Sequence, residues 1–152
     1  MNSLDDISAM QKLDPKGVLA STGKFADQCE QAWRESSNLL FPDPYKAVKN
    51  VVACGMGGSR FTPKTVKELF RKKISVPYEI VEDYSLPGHV GRQTLVILSS
   101  YSGTTEEVFS CGQDAVKRGA LLTGIVQGGP IGDMLTDANV PFYKFIPTQN
   151  PC

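Results

Sequence analysis

The chain has 152 residues and a mass of 16.5 kDa, the size of one ordinary domain. Its 16 basic and 16 acidic residues balance, so it lacks the positive excess that nucleic-acid and membrane-surface proteins use. No apolar run reaches the ~18 residues of a membrane span, and the first ten residues lack the basic cluster of a secretory signal. We therefore expect a cytoplasmic protein with no nucleic-acid or membrane partner.

Residues 1–49 are predicted to form an N-terminal helical segment that packs on the following domain. A short helix is expected over residues 3–12. Apolar residues then recur at helical spacing from residue 18 to residue 33, which predicts one longer helix. The Ser- and Pro-rich stretch at residues 36–44 is typical of a connector.

From Asn50 onwards, short apolar segments alternate with helical ones. Strands are predicted at 51–54, 78–81, 95–98, 121–126 and 140–146. Helices are predicted at 63–73, 104–118 and 131–138. This alternation indicates right-handed βαβ units and a parallel sheet. We predict a three-layer α/β/α sandwich over residues 50–152, with about five parallel strands.

The third predicted strand and the cysteines add two expectations. Residues 95–98 lack polar alternation, so this strand is expected to be central and covered on both faces. The four cysteines show no metal-ligand spacing and the chain has one histidine, so we expect reduced thiols, no metal and no cofactor. That histidine, His89, is expected to be a surface residue.

The loop after the third predicted strand is rich in hydroxyl groups. Ligands of such sheets bind at the carboxyl ends of the strands. Five of the seven residues at 99–105 are Ser or Thr, and Gly103 permits a tight turn. A hydroxyl-rich turn at a helix N-terminus offers neutral donors to a phosphate, so we predict an anion site here. The alternative is simple capping, with Thr104 and Glu107 forming a capping box.

The loop after the first predicted strand, residues 55–60, is rich in glycine. It resembles a dinucleotide-binding fingerprint, but Arg60 stands where the third Gly is required. It also lacks the Lys of a phosphate-binding P-loop. We expect this loop to close the other side of one crevice with the Ser-rich loop, and a nucleotide-binding Rossmann-like domain remains an alternative.

Together these motifs carry a family resemblance. The segments at 55–59, 84–87 and 94–107, in this order, resemble the N-terminal SIS (sugar isomerase) domain of the bifunctional phosphoglucose/phosphomannose isomerases. The segments at 128–130 and 146–147 are also similar to that family. The resemblance implies a flavodoxin-like strand order, and the full-length form of such an enzyme is expected to be a homodimer.

The resemblance also implies a reaction and a binding site. The family converts glucose 6-phosphate or mannose 6-phosphate into fructose 6-phosphate through an enediol, without a metal. Matching its motifs residue by residue assigns substrate-phosphate binding to six residues of this chain: Gly57, Gly58, Ser59, Ser100, Ser102 and Thr105.

The chain departs from the family at three points. Arg60 replaces a residue that is usually small, and Cys152 stands where the family has Arg. The family's catalytic Glu, His and Lys lie in a second SIS domain that this chain lacks, so we identify no catalytic residue here. We therefore expect the sugar-phosphate-binding part of an isomerase, inactive alone. The alternative is a stand-alone sugar-phosphate sensor, which the neutral charge and missing basic reading helix disfavour.

Overall fold

The computed structural model describes residues 5–146, which divide into two units, residues 5–37 and 38–146. The first unit contains three helices: α1 (Ile7–Leu13), α2 (Val18–Gly23) and α3 (Phe25–Ser36). The single long helix predicted over 18–33 is wrong, because the helix is interrupted at Lys24, directly after Gly23. Glycine destabilises a helix because its flexible backbone loses more conformational entropy on folding than that of other residues. A new helix begins at Phe25.

The N-terminal helices have no core of their own. None of the described residues of α1, α2 or α3 is buried. Leu19, Phe25 and Trp33 are 69%, 68% and 76% exposed. Since helical stability in proteins comes mostly from burying an apolar face, these helices need a packing partner. Their packing on the α/β domain stays a prediction.

The second unit is built on a five-stranded parallel sheet. Its strands are β1 (Asn50–Gly55), β2 (Tyr78–Val81), β3 (Thr94–Ser100), β4 (Leu121–Val126) and β5 (Tyr143–Lys144). Its helices are α4 (Phe61–Leu69), α5 (Glu106–Arg118) and α6 (Gly129–Asp137). The order β2-β1-β3-β4-β5 is flavodoxin-like, which confirms the predicted topology and the central position of β3.

Successive strands are added to the sheet in two opposite directions. The step from β1 to β2 runs one way, and the steps from β3 to β4 and β5 run the other way. Right-handed crossovers therefore place α4 on one face and both α5 and α6 on the opposite face. The predicted three-layer sandwich is confirmed.

The main hydrophobic core lies between the sheet and helices α5 and α6. Val96 and Leu98 of β3 are fully buried there, with Ile131 of α6. The alternate β3 residues Leu95 and Ile97 are only half-buried. The opposite face of β3 is therefore covered less completely than its apolar sequence predicts.

Residues 38–49 lie in the α/β unit, whereas the sequence places them with the N-terminal helices. They contain a short 3₁₀ helix at Asp43–Ala47. Tyr45 donates its hydroxyl hydrogen to the Leu122 carbonyl of β4, at 2.8 Å. The Lys49 amide donates to the Gln93 carbonyl, also at 2.8 Å. These two long-range contacts tie the segment to the sheet.

Several element boundaries differ from the sequence predictions, those of α4 and β5 among them. Helix α4 begins two residues before the predicted start, so Pro63 is its third residue and is buried. Strand β5 is confined to two residues, since Pro141 has no amide hydrogen to donate to a ladder. Among residues 5–146, no helix has the length and apolarity needed to cross a bilayer.

Candidate functional site

The two loops predicted to form a crevice meet at the carboxyl edge of the sheet. Gly55 of β1 and Ser99 of β3 are register partners, and the 3₁₀ turn Gly57–Arg60 follows β1. The Tyr101 amide donates to Ser59 Oγ at 3.1 Å. Ser99 Oγ donates to the Ser59 carbonyl at 2.9 Å. The six predicted phosphate-binding residues therefore lie on two loops that touch through Ser59.

Ser100 shapes the Ser-rich loop from within. Its side chain is 1% exposed. Its Oγ accepts a hydrogen bond from the Gly103 amide at 3.0 Å and shares one with Thr105 Oγ1 at 2.7 Å. The hydroxyl groups of Ser100 and Thr105 are thus drawn together. Direct contact of Ser100 with a phosphate stays a prediction.

Helix α5 starts without a side-chain cap. Its N-cap residue is Thr105, whose Oγ1 turns to Ser100 instead of the first-turn amides. Thr104 Oγ1 donates to Ser102 Oγ at 2.9 Å. The predicted capping box of Thr104 and Glu107 is therefore wrong, because the helix begins two residues later. The uncapped first-turn amides and the positive end of the helix dipole suit an anion.

A close backbone contact packs the Ser-rich loop against the start of α6. Gly103 has φ +70°, and a Cβ there would lie 1.7 Å from the Gly128 carbonyl oxygen. The Ile131 amide of α6 donates to the Gly103 carbonyl at 3.0 Å. The local sequence gives Gly128 no site role, although the paired glycines before Pro130 are a signal that could have pointed to this turn.

The hydroxyls of Ser59 and Ser102 have protons available for a ligand. Ser102 is exposed, and its Oγ accepts hydrogen bonds from the amide and the hydroxyl of Thr104. Ser59 is half-buried, and its Oγ accepts from the Tyr101 amide. A hydroxyl that accepts in this way keeps its own hydrogen to donate. Gly57 and Gly58 are exposed in the adjoining turn.

Acidic side chains lie in the first turn of α5. They are Glu106 and Glu107. The Tyr84 hydroxyl lies 3.5 Å from Glu106 Oε2. The negative charge of Glu107, with smaller contributions from desolvation and from Glu106, raises the pKa of Tyr84. These carboxylates oppose anion binding, so the hydrogen-bond donors of the two loops must offset them.

A charged cluster that the sequence analysis missed lies beside the glycine-rich turn. Glu82, directly after β2, accepts from the Arg60 guanidinium and from Lys64 Nζ, the latter at 2.5 Å. The hydrogen bonds from Lys64 and Arg60 hold the pKa of Glu82 below its usual range. The partners of Glu82 lie 18 and 22 residues away, so no local pattern signals the cluster.

The three described cysteines and the histidine take no part in this site. Cys54 and Cys111 are buried and Cys29 is exposed, all as free thiols, while Cys152 lies outside the described residues. His89 is an exposed residue 3.8 Å from Glu79 of β2. Residues 5–146 contain no group of three or more His, Cys, Asp or Glu side chains placed to hold a metal.

Curated relatives of this chain are named bifunctional phosphoglucose/phosphomannose isomerase, at 35–38% identity. The relative from Caldicellulosiruptor bescii is 35% identical over 114 residues, which cover 75% of this chain and 34% of the relative. The matches span only 27–34% of these relatives' length. A search against protein-family models found no match.

Solved structures share the fold at low sequence identity. The Vibrio vulnificus NanR protein complexed with ManNAc-6P matches with a TM-score of 0.58 and 14% identity, over 88% of this chain and 53% of that one. A phosphoheptose isomerase from Francisella tularensis matches with a TM-score of 0.55 and 16% identity, over 87% and 86%. The predicted SIS-type fold and the resemblance to the bifunctional isomerases are both confirmed.

Proposed function

We propose that this chain is the part of an aldose–ketose isomerase that binds the phosphate group of the substrate. The chain is a homologue of the bifunctional phosphoglucose/phosphomannose isomerases and has a SIS-type fold. The substrates proposed are glucose 6-phosphate and mannose 6-phosphate, with fructose 6-phosphate as the product. The complete enzyme would act as a homodimer in the cytoplasm.

The junction between Ser59 and the Tyr101 amide carries this proposal. It brings the glycine-rich turn against the Ser-rich loop, beside the uncapped start of α5. A phosphate monoester has three terminal oxygens, each of which accepts several hydrogen bonds. Donors arriving from a turn, a loop and a helix N-terminus surround such a group. A dinucleotide site would instead need the third glycine that Arg60 replaces.

Each residue proposed to bind the phosphate has a defined role. Ser59 and Ser102 donate their free hydroxyl protons, and Gly57 and Gly58 let the backbone approach closely. Thr105 can donate its hydroxyl hydrogen to the phosphate when Ser100 is the donor in the 2.7 Å hydrogen bond between Ser100 Oγ and Thr105 Oγ1. Ser100 then acts in binding through Thr105 and through the shape of the loop.

Phosphate capture does not move a proton. Isomerisation through an enediol needs a base near the proton on C2 and a cation or donor near the developing oxyanion. Among the described residues, the loops of this site contain no histidine or lysine, and Glu106 and Glu107 belong to the phosphate-binding helix. We assign the base, the ring-opening acid and the oxyanion cation to other parts of the complete enzyme.

A titration of the purified chain tests the proposal. We expect fructose 6-phosphate to bind, NAD not to bind, and Ser102→Ala to weaken the sugar phosphate about tenfold or more. Ser21→Ala is the matched control, because that half-buried serine lies in α2 and donates its hydroxyl hydrogen to the Val18 carbonyl. Binding of NAD in preference to fructose 6-phosphate would favour the Rossmann-like alternative.

A sugar-phosphate sensor is the second candidate. It is favoured by the presence of phosphate donors and the lack of a base in the described loops, because a sensor binds without reacting. Turnover of glucose 6-phosphate by the complete protein separates the two functions. An isomerase turns it over, whereas a sensor binds it and returns it unchanged.

A further inference from the structure

The glycine-rich turn is held from both sides. On the β3 side, Ser59 contacts the Ser-rich loop through its Oγ and its carbonyl oxygen. The next residue, Arg60, reaches the opposite way to Glu82, which follows β2. Since β1 lies between β2 and β3, one short turn joins the ends of three neighbouring strands.

Contacts with neighbouring residues fix the direction of the Arg60 side chain. Its guanidinium donates to Glu82 and its Cζ lies 5.4 Å from the centre of the Phe61 ring. Its Nε is buried and has no hydrogen-bond partner among residues 5–146. A buried donor without a partner is unfavourable. The contacts with Glu82 and Phe61 therefore hold the guanidinium against that cost.

Lys64 shares the same carboxylate but lies on a different element. It belongs to α4, and its Nζ is 2.5 Å from the second oxygen of Glu82. Arg60 belongs to the turn that contains Ser59. Removal of Arg60 thus removes a contact of the turn itself, whereas removal of Lys64 leaves the Arg60 pair in place.

We propose that Arg60 is a positioning residue of the phosphate site, which acts through Ser59. Paired with Glu82, it fixes the 57–60 turn so that Ser59 Oγ stays on the Tyr101 amide and presents its proton to the ligand. Arg60 itself points towards β2 and makes no contact with the phosphate. The ligand in this inference rests on the proposed function, while the fixed turn rests on the contacts alone.

Hydrogen exchange at the Tyr101 amide reports directly on the turn. In Arg60→Ala we expect this amide to exchange at least about tenfold faster, with fructose 6-phosphate binding weakened about threefold to tenfold. The melting temperature and the exchange of core amides in β3 control for global destabilisation. In the matched control Lys64→Ala, both the Tyr101 exchange rate and the affinity should stay within about twofold.

A charge exchange tests whether the ion pair is responsible. Arg60→Glu alone should loosen the Tyr101 amide, and the double variant Arg60→Glu/Glu82→Arg should restore at least half of its protection. Unchanged exchange in Arg60→Ala, or no restoration in a folded double variant, overturns the inference. If the unmodified chain does not bind fructose 6-phosphate, the proposed function fails, while the exchange measurements still decide the role of Arg60.

Discussion

The two loops of the candidate site are stabilised in different ways. The Ser-rich loop holds its own shape, because Ser100 bonds both Gly103 and Thr105 and the backbone packs on Gly128. The glycine-rich turn is exposed at Gly57 and Gly58 and depends on side chains that reach out of it. Ser59 extends to one neighbouring strand end and Arg60 to the other.

This difference separates shape from orientation in the site. The Ser-rich loop supplies a rigid surface at the start of α5, since its contacts are short and partly buried. The glycine-rich turn supplies a group whose orientation depends on two distant partners. Changes to the buried residues of the first loop should therefore mainly affect folding, while changes to Ser59 and Arg60 should mainly affect ligand binding.

The largest expected effect concerns activity, which neither loop should supply alone. We expect this 152-residue chain, assayed by itself, to form no fructose 6-phosphate from glucose 6-phosphate. Loss of a general base typically costs about 10²–10⁴-fold, and we assign the ring-opening acid and the oxyanion cation to other parts of the complete enzyme as well. The measurement is a coupled assay against a buffer control. Clear turnover would mean that one loop does carry chemistry, and Glu106, Glu107 and Arg60 would be the first residues to change.

The next largest effect should be on the stability of the rigid loop. Gly103→Ala adds a Cβ that meets the Gly128 carbonyl oxygen at 1.7 Å, at a φ of +70°. We expect the free energy of unfolding to fall by about 3 kcal/mol, measured by urea denaturation. Gly88→Ala is the control, because its Cβ would have nothing within 4 Å. Equal stability of the two variants would show that the close approach to Gly128 does not constrain the loop.

Two serines of the same loop should separate folding from binding. Ser102→Ala is expected to weaken fructose 6-phosphate binding by about 1.5–3 kcal/mol with little change in unfolding, because its exposed hydroxyl loses a bond to a charged group. Ser100→Ala should lower the free energy of unfolding by about 1–3 kcal/mol, since the buried Gly103 amide loses its acceptor. Calorimetry and denaturation measure the two effects. Unchanged affinity in Ser102→Ala would rule out a direct contact.

The smallest effect should be a dependence on pH at the second loop. Lys64 and Arg60 lower the pKa of Glu82, so the charged carboxylate is favoured in the folded chain. Its stabilising contribution is therefore present above the unfolded-state pKa and is lost as the pH falls through the lower folded-state pKa. We expect Glu82→Gln to melt below the unmodified chain at pH 7, with the gap closing below about pH 4. A gap that does not narrow between pH 7 and pH 3 would mean that Glu82 stabilises the fold without its charge.

The sequence by itself determined the order of the elements, the parallel sheet and the two loops that form the candidate site. These features follow from local patterns. Apolar runs predicted β2 and β4 with the bounds that the structure shows, and hydroxyl and glycine residues marked both loops. Because parallel strands all end at one edge, the sequence also placed both loops at that edge.

Only the tertiary structure decided how the site is held together. Ser59 meets the Tyr101 amide across 42 positions of the chain, Arg60 meets Glu82 across 22, and Gly103 meets Gly128 through the backbone. Helix α5 also starts two residues later than predicted. Its N-cap residue is Thr105, whose hydroxyl bonds Ser100, and Thr104 does not cap the helix. Local periodicity carries no record of such contacts, since each depends on which strand ends become neighbours after the chain has folded.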